Sequence, residues 1–133
     1  MAQFFKPQKK STQPQRIEFT VDSLDHHCVG IGRHQGKAIF IEGALPGEQV
    51  KARILDDKKQ YAHAALQQVV TPAANRIAPF CNHYRECGGC NAQHLGEADQ
   101  QAAKEAGLVS LFERLGQIKA PVLEPVLTGE SRA

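Results

Sequence analysis

From Arg16 the chain alternates apolar and polar residues, with Ile17, Phe19 and Val21 separated by Glu18 and Thr20. A period of two puts successive side chains on opposite faces, so this stretch predicts a half-buried strand. Asp22-Ser23-Leu24-Asp25 supplies a turn, and Cys28-Val29-Gly30-Ile31-Gly32 a short second strand. Glycine inside a strand marks a bulge or bend. His34-Gln35-Gly36-Lys37 predicts a hairpin turn into Ala38-Ile39-Phe40-Ile41. The loop Gly43-Ala44-Leu45-Pro46-Gly47-Glu48 follows, and alternation returns through Val50, Ala52 and Ile54. After the charged turn Asp56-Asp57-Lys58-Lys59, residues 61–70 read as a fifth strand, although their alanines also permit helix. Five short strands with bent, glycine-marked corners predict a small closed barrel of the oligonucleotide-binding kind. Closure removes the sheet edges that so short a chain would otherwise have to cover.

The period then lengthens. Over 97–115, Ala98, Ala102, Leu108, Phe112 and Leu115 fall near one face of a helix. Glu97 and Asp99 favour its positive N-terminal end, Gly116 is a plausible stop, and Gly107 weakens it. The expected fold is mainly β. A disordered basic arm over 1–15 precedes an OB-like barrel over 16–72. A linker and cysteine loop over 73–96, one helix over 97–116 and a tail over 117–133 complete it.

Composition narrows the class. With 133 residues, 41% of them hydrophobic and no Trp, the chain builds one modest core. No apolar run reaches membrane-spanning length, and the polar N-terminus lacks a signal-peptide core. A cytoplasmic monomer without membrane contact is expected. The net charge of +2 hides an asymmetry: residues 1–80 carry eleven Lys/Arg against seven Asp/Glu, and the remainder five against seven. A polyanion such as RNA would feel the front half. Lys6, Lys9 and Lys10 lie in the arm. Arg33, Lys51, Arg53, Lys58 and Lys59 are candidates for a phosphate-binding patch on one barrel face, or for an ordinary solvated strand face. Gly30-x-Gly32 with Gly36-Lys37 lacks the spacing of a phosphate loop.

Three of four cysteines crowd into Cys81-x5-Cys87-Gly88-Gly89-Cys90. In a reducing compartment such clustering argues for metal ligation over disulfides. Two thiolates at C-x2-C reach one centre, and the intervening glycines let backbone N–H groups turn toward sulfur. Three outcomes stay open: an iron–sulfur cluster with a fourth thiolate from elsewhere, a Cys3His zinc site completed by His83 or His94, or free thiols. Cys28, alone in the barrel segment, reads as a core residue.

Taken in order, the Gly43–Glu48 loop, Lys58-Lys59-Gln60-Tyr61-Ala62, the C-x5-C-G-G-C loop and Gln93-His94-Leu95 resemble the N-terminal region of the bacterial ribosomal RNA uracil-C5 methyltransferases. The opening Met1-Ala2-Gln3-Phe4-Phe5 resembles members acting on large-subunit, 23S, RNA. The resemblance covers roughly residues 1–119. It implies an RNA-binding TRAM barrel, and Cys81, Cys87 and Cys90 as ligands of a [4Fe-4S] cluster whose fourth cysteine lies beyond residue 133. The family's catalytic cysteine, its carboxylate base and its S-adenosylmethionine-binding domain are likewise expected beyond this chain. On that reading the parent is an enzyme and these residues are a truncated, non-catalytic portion. The rival from another class is a stand-alone RNA-binding module with a structural zinc site.

Overall fold

The computed structural model describes residues 14–129. Lys6, Lys9 and Lys10, with most of the predicted arm, lie outside them. All five expected strands are present: β1 (Arg16–Leu24), β2 (Gly30–His34), β3 (Lys37–Ile41), β4 (Gln49–Asp57) and β5 (Tyr61–Thr71). They close into one barrel in the order β1-β2-β3-β5-β4, with β4 returning to β1. Neighbours are antiparallel except β3 and β5, which run parallel.

The alternation in the sequence is the alternation in the barrel. Ile17, Phe19, Val21, Ile39, Ile41, Val50, Ala52, Ala62 and Ala64 all point inward. Interiors of small barrels mix large and small side chains to fit the taper. Gly32 shows why: a Cβ there would sit 2.5 Å from the Phe19 ring, so the ring occupies that space. The β2–β3 turn has two central residues with positive φ, Gln35 (51°) and Gly36 (77°), the backbone hand that suits a two-residue hairpin. The alanines of β5 do not make it helical. Pairing with β3 on one side and β4 on the other overrides their local preference.

Three predicted elements differ in detail. β1 runs through Leu24, so Asp22, Ser23 and Leu24, expected to turn, stay in the strand, with a bulge between Val21 and Ser23 in its pairing with β2. β2 begins at Gly30, because Cys28 is left-handed (φ 61°) inside a turn organised by Asp25. The Asp25 carboxylate accepts hydrogen bonds from the backbone N–H groups of His27 and Val29 at 2.8 and 2.9 Å. Cys28 itself is buried, as a core residue should be, and burial pushes its thiol pKa up, with Lys104 offsetting part of that shift.

A short helix α1 (Tyr84–Cys87) lies within the cysteine segment, and α2 (Glu97–Arg114) follows. The apolar stripe predicted for α2 faces outward: Leu108 and Phe112 are substantially exposed and Leu115 is 80% exposed. The helix approaches the barrel through Gly107 instead, where a Cβ would lie 3.3 Å from His26 Cα. The glycine that weakens the helix is where its backbone meets the β1–β2 turn. At the other end, Leu115 caps the helix and Gln117, not Gly116, is left-handed.

Candidate functional site

The Gly43–Glu48 loop does more than turn the chain. Glu48 is fully buried, and each of its carboxylate oxygens accepts two hydrogen bonds. Oε1 receives the Ala73 N–H at 3.1 Å and Arg76 Nε at 2.5 Å. Oε2 receives the Leu45 N–H at 2.8 Å and Arg76 Nη2 at 2.7 Å. Arg76 Nη2 also donates to the Gly43 carbonyl at 2.6 Å. Burial alone would raise the Glu48 pKa. The hydrogen bonds from Arg76, Leu45 and Ala73, with the charge of Arg76, outweigh it and hold the group below its ordinary value. This two-pronged clamp fixes the barrel to the segment that carries the cysteines.

That segment is organised around residues 92–95, all buried. Arg76 bridges Leu95, and the Ile77 N–H donates to the His94 carbonyl at 3.0 Å. The Cys81 N–H donates to Gln93 Oε1 at 3.2 Å. Tyr84 Oη and His94 Nδ1 share a hydrogen bond of 2.7 Å, its donor set by the histidine tautomer. Burial, reinforced by the charge of Arg76, lowers the His94 pKa. Its Nε2 is buried without a partner among the described residues.

Cys81 is half-buried, and Cys87 and Cys90 are exposed, all as free thiols. Cys87 ends α1, Gly88 turns left-handed after it, and the Gly89 backbone approaches closely enough that a Cβ would lie 3.4 Å from Cys87 Sγ. In donor type and loop position the three thiols suit a thiolate-bound centre. They do not converge: among the described residues no three His, Cys, Asp or Glu side chains are grouped to hold a metal ion. His83 is exposed at the start of α1.

The basic candidates separate into two places. Lys51 and Arg53 project from β4 beside β1, where their cross-strand neighbours are Glu18 and Arg16. Lys58 and Lys59 follow the opposite end of β4, and Arg33 lies on β2 in the row that runs through Ala38 to Tyr61. A 2.5 Å ion pair from Lys37 to Asp57 ties the β2–β3 hairpin to the β4–β5 turn. Lys58 pairs with Asp56 at 3.3 Å. Beside Arg33 and Lys59 lies a group the basic-residue pattern does not reveal. Phe40, Tyr61 and His63 form an aromatic cluster on the outside of β3 and β5.

The sequence profile of the TRAM domain matches residues 10–66. The barrel is a TRAM domain. The match ends before Arg76 and the cysteines, so the clamp joins the TRAM barrel to a segment outside the matched residues. Over its whole length the chain is similar to proteins named 23S rRNA (uracil(1939)-C(5))-methyltransferase RlmD. It is 92% identical over 133 residues to the Aeromonas hydrophila subsp. hydrophila protein, covering 100% of this chain and 30% of that one. Identity is 52% over 121 residues to the Tolumonas auensis protein, covering 91% and 28%. For Shewanella baltica it is 43% over 132 residues, covering 98% and 29%. The chain thus spans less than a third of the length of these curated relatives. The expected resemblance and the mainly β TRAM fold are both borne out. Among the described residues no helix is long and apolar enough to cross a membrane.

Proposed function

We propose that these residues are the RNA-binding portion of an S-adenosylmethionine-dependent methyltransferase that forms 5-methyluridine in 23S ribosomal RNA. The observation that carries this reading is the 92% identity, over every residue of the chain, to a relative named for that reaction. The TRAM barrel grips RNA, with basic side chains meeting phosphates: Arg33, Lys58 and Lys59 at one end, Lys51 and Arg53 on β4, and Lys6, Lys9 and Lys10 from the N-terminal arm. Cys81, Cys87 and Cys90 supply three thiolates to a [4Fe-4S] cluster, and the clamp from Glu48 to Arg76 holds that loop against the barrel. The protein works as a cytoplasmic monomer.

The test is binding of the chain to a 23S RNA fragment across a salt series. Affinity falls steeply with salt, and replacing Lys6, Lys9 and Lys10 with Ala lowers the slope of log K against log salt by about 2 to 3. Absence of binding at low salt refutes the reading. A structural Cys3His zinc site is the second reading, favoured by the unpartnered Nε2 of His94. Anaerobically purified protein separates the two: an iron–sulfur cluster is brown, and zinc is colourless.

A further inference from the structure

The outside of β3 and β5 carries three rings that the core does not use. Ile39 and Ile41 on β3, and Ala62 and Ala64 on β5, face inward. The intervening Ala38, Phe40, Tyr61 and His63 therefore face outward. Parallel pairing sets Phe40 beside His63 and Ala38 beside Tyr61. Antiparallel pairing with β2 extends these rows to Ile31 and Arg33. Two adjacent rows result: Ile31, Phe40, His63 and Arg33, Ala38, Tyr61.

The ring geometry is that of a surface. Phe40 and His63 are tilted by only 31° with centroids 5.4 Å apart. Tyr61 stands edge-on to both, at 6.0 and 5.6 Å. Tyr61 keeps 40% of its area exposed. Cross-strand aromatic pairs do stabilise sheets, but that role is served by edge contacts and leaves no reason for basic residues around the rings. Arg33 and Lys37 flank the β2–β3 turn, and Asp56, Asp57, Lys58 and Lys59 border the β4–β5 turn. Lys37 and Lys58 neutralise the two carboxylates, and Arg33 and Lys59 form no ion pair among the described residues. Outward rings, Tyr61 and His63 exposed and Phe40 half-buried, with two uncommitted cations match the two demands of single-stranded nucleic acid, a π-face for a base and positive charge for its phosphates.

We propose that Phe40, Tyr61 and His63 form a stacking platform for an unpaired base of the RNA, with Arg33 and Lys59 taking the flanking phosphates. This rests on the RNA-binding reading and assigns it a mode: the barrel prefers single-stranded RNA to duplex, whose bases are already stacked on one another.

The experiment uses the 133-residue chain with two probes, a short single-stranded oligoribonucleotide carrying 2-aminopurine and the duplex of the same sequence. The native chain binds the single strand more tightly and changes the 2-aminopurine fluorescence. Tyr61→Leu weakens single-strand binding about tenfold or more and leaves duplex binding and the salt slope unchanged. Tyr61→Phe, which keeps the π-face, retains both affinity and fluorescence change. Joint replacement of Arg33 and Lys59 with Gln lowers the single-strand salt slope by about 1.4, from two phosphate contacts. Circular dichroism confirms that each variant is folded. If the native chain binds RNA but folded Tyr61→Leu and His63→Ala both bind the single strand within twofold of it, the platform is refuted and the RNA-binding reading stands. If the native chain binds neither probe, both are refuted.

Discussion

Replacing Glu48 with glutamine removes one charge and keeps the shape of the side chain, yet it breaks the clamp in either orientation of the amide. Each carboxylate oxygen faces two donors: Ala73 N and Arg76 Nε on one, Leu45 N and Arg76 Nη2 on the other. Whichever oxygen becomes NH2 meets two N–H groups with two N–H groups of its own. Two hydrogen bonds are lost at a fully buried carboxylate, and Arg76, 22% exposed, loses its counter-charge. Breaking a buried pair from one side costs about 3–5 kcal/mol. At about 4 °C per kcal/mol for a chain of this size, the thermal midpoint falls by about 12–20 °C. Thermal and urea unfolding followed by far-ultraviolet circular dichroism measure it, with exposed Glu18→Gln as a control that moves neither midpoint. The sign of the pH dependence follows from the depressed Glu48 pKa. The stabilisation is complete above the ordinary carboxylate value of 4.5 and is lost as pH falls through the lower folded-state value. Native protein and Glu48→Gln therefore converge in stability only below pH 4.5. A loss under about 1 kcal/mol at neutral pH, or convergence already at neutral pH, refutes the reasoning.

Gly32→Ala drives a Cβ to 2.5–2.6 Å from the Phe19 ring and the Thr20 carbonyl, and should cost about 3 kcal/mol by urea unfolding; Gly36→Ala, which meets no atom but sits at φ 77°, should cost only the left-handed strain of about 1–2 kcal/mol. Gly107→Ala should fail to give the roughly 1 kcal/mol that helix propensity promises, because the new methyl meets His26 Cα at 3.3 Å; a full gain in stability would show that α2 is not held against the β1–β2 turn. In anaerobically reconstituted protein, Cys87→Ser should abolish the iron content and visible absorbance, and Cys28→Ser should spare both. The reverse pattern overturns the ligand assignment.

The strands were legible because a barrel wall repeats one local rule at every residue. The inward set from Ile17 to Ala64 can be read by eye, and so can the hairpin at Gln35-Gly36. The partnership of Glu48 with Arg76 was not legible. It joins residues 28 apart, and a glutamate after a glycine in a turn looks like any solvated glutamate. The aromatic cluster was hidden for a related reason. Phe40 and His63 meet through the parallel β3–β5 pairing, a contact fixed by the topology and by no local pattern. The outward stripe of α2 shows the opposite failure. Helical periodicity says which residues share a face, but not whether a neighbour covers that face. The cysteine spacing was plain in the sequence, whereas the buried residues 92–95 beneath it carry no periodic signal.

The clamp also orders events in time. Arg76 can find its carboxylate only once the loop bearing Glu48 is in place. That loop is itself held by β1, through backbone bonds from Val21 N–H to the Glu48 carbonyl and from Gly47 N–H to the Val21 carbonyl. Barrel closure brings together β1 and β4, partners such as Phe19 and Val50 that lie far apart in sequence, and such long-range pairing is slow. The residues from Ala73 to Leu95 should therefore dock onto an already closed barrel. They should open at a lower free energy than the barrel, whose strands pair without them. Amide hydrogen exchange should resolve two tiers, with Ile77 and Cys81 exchanging before Val50 and Ala52, and Glu48→Gln should speed exchange at Ile77 and Cys81 more than at Val50 and Ala52.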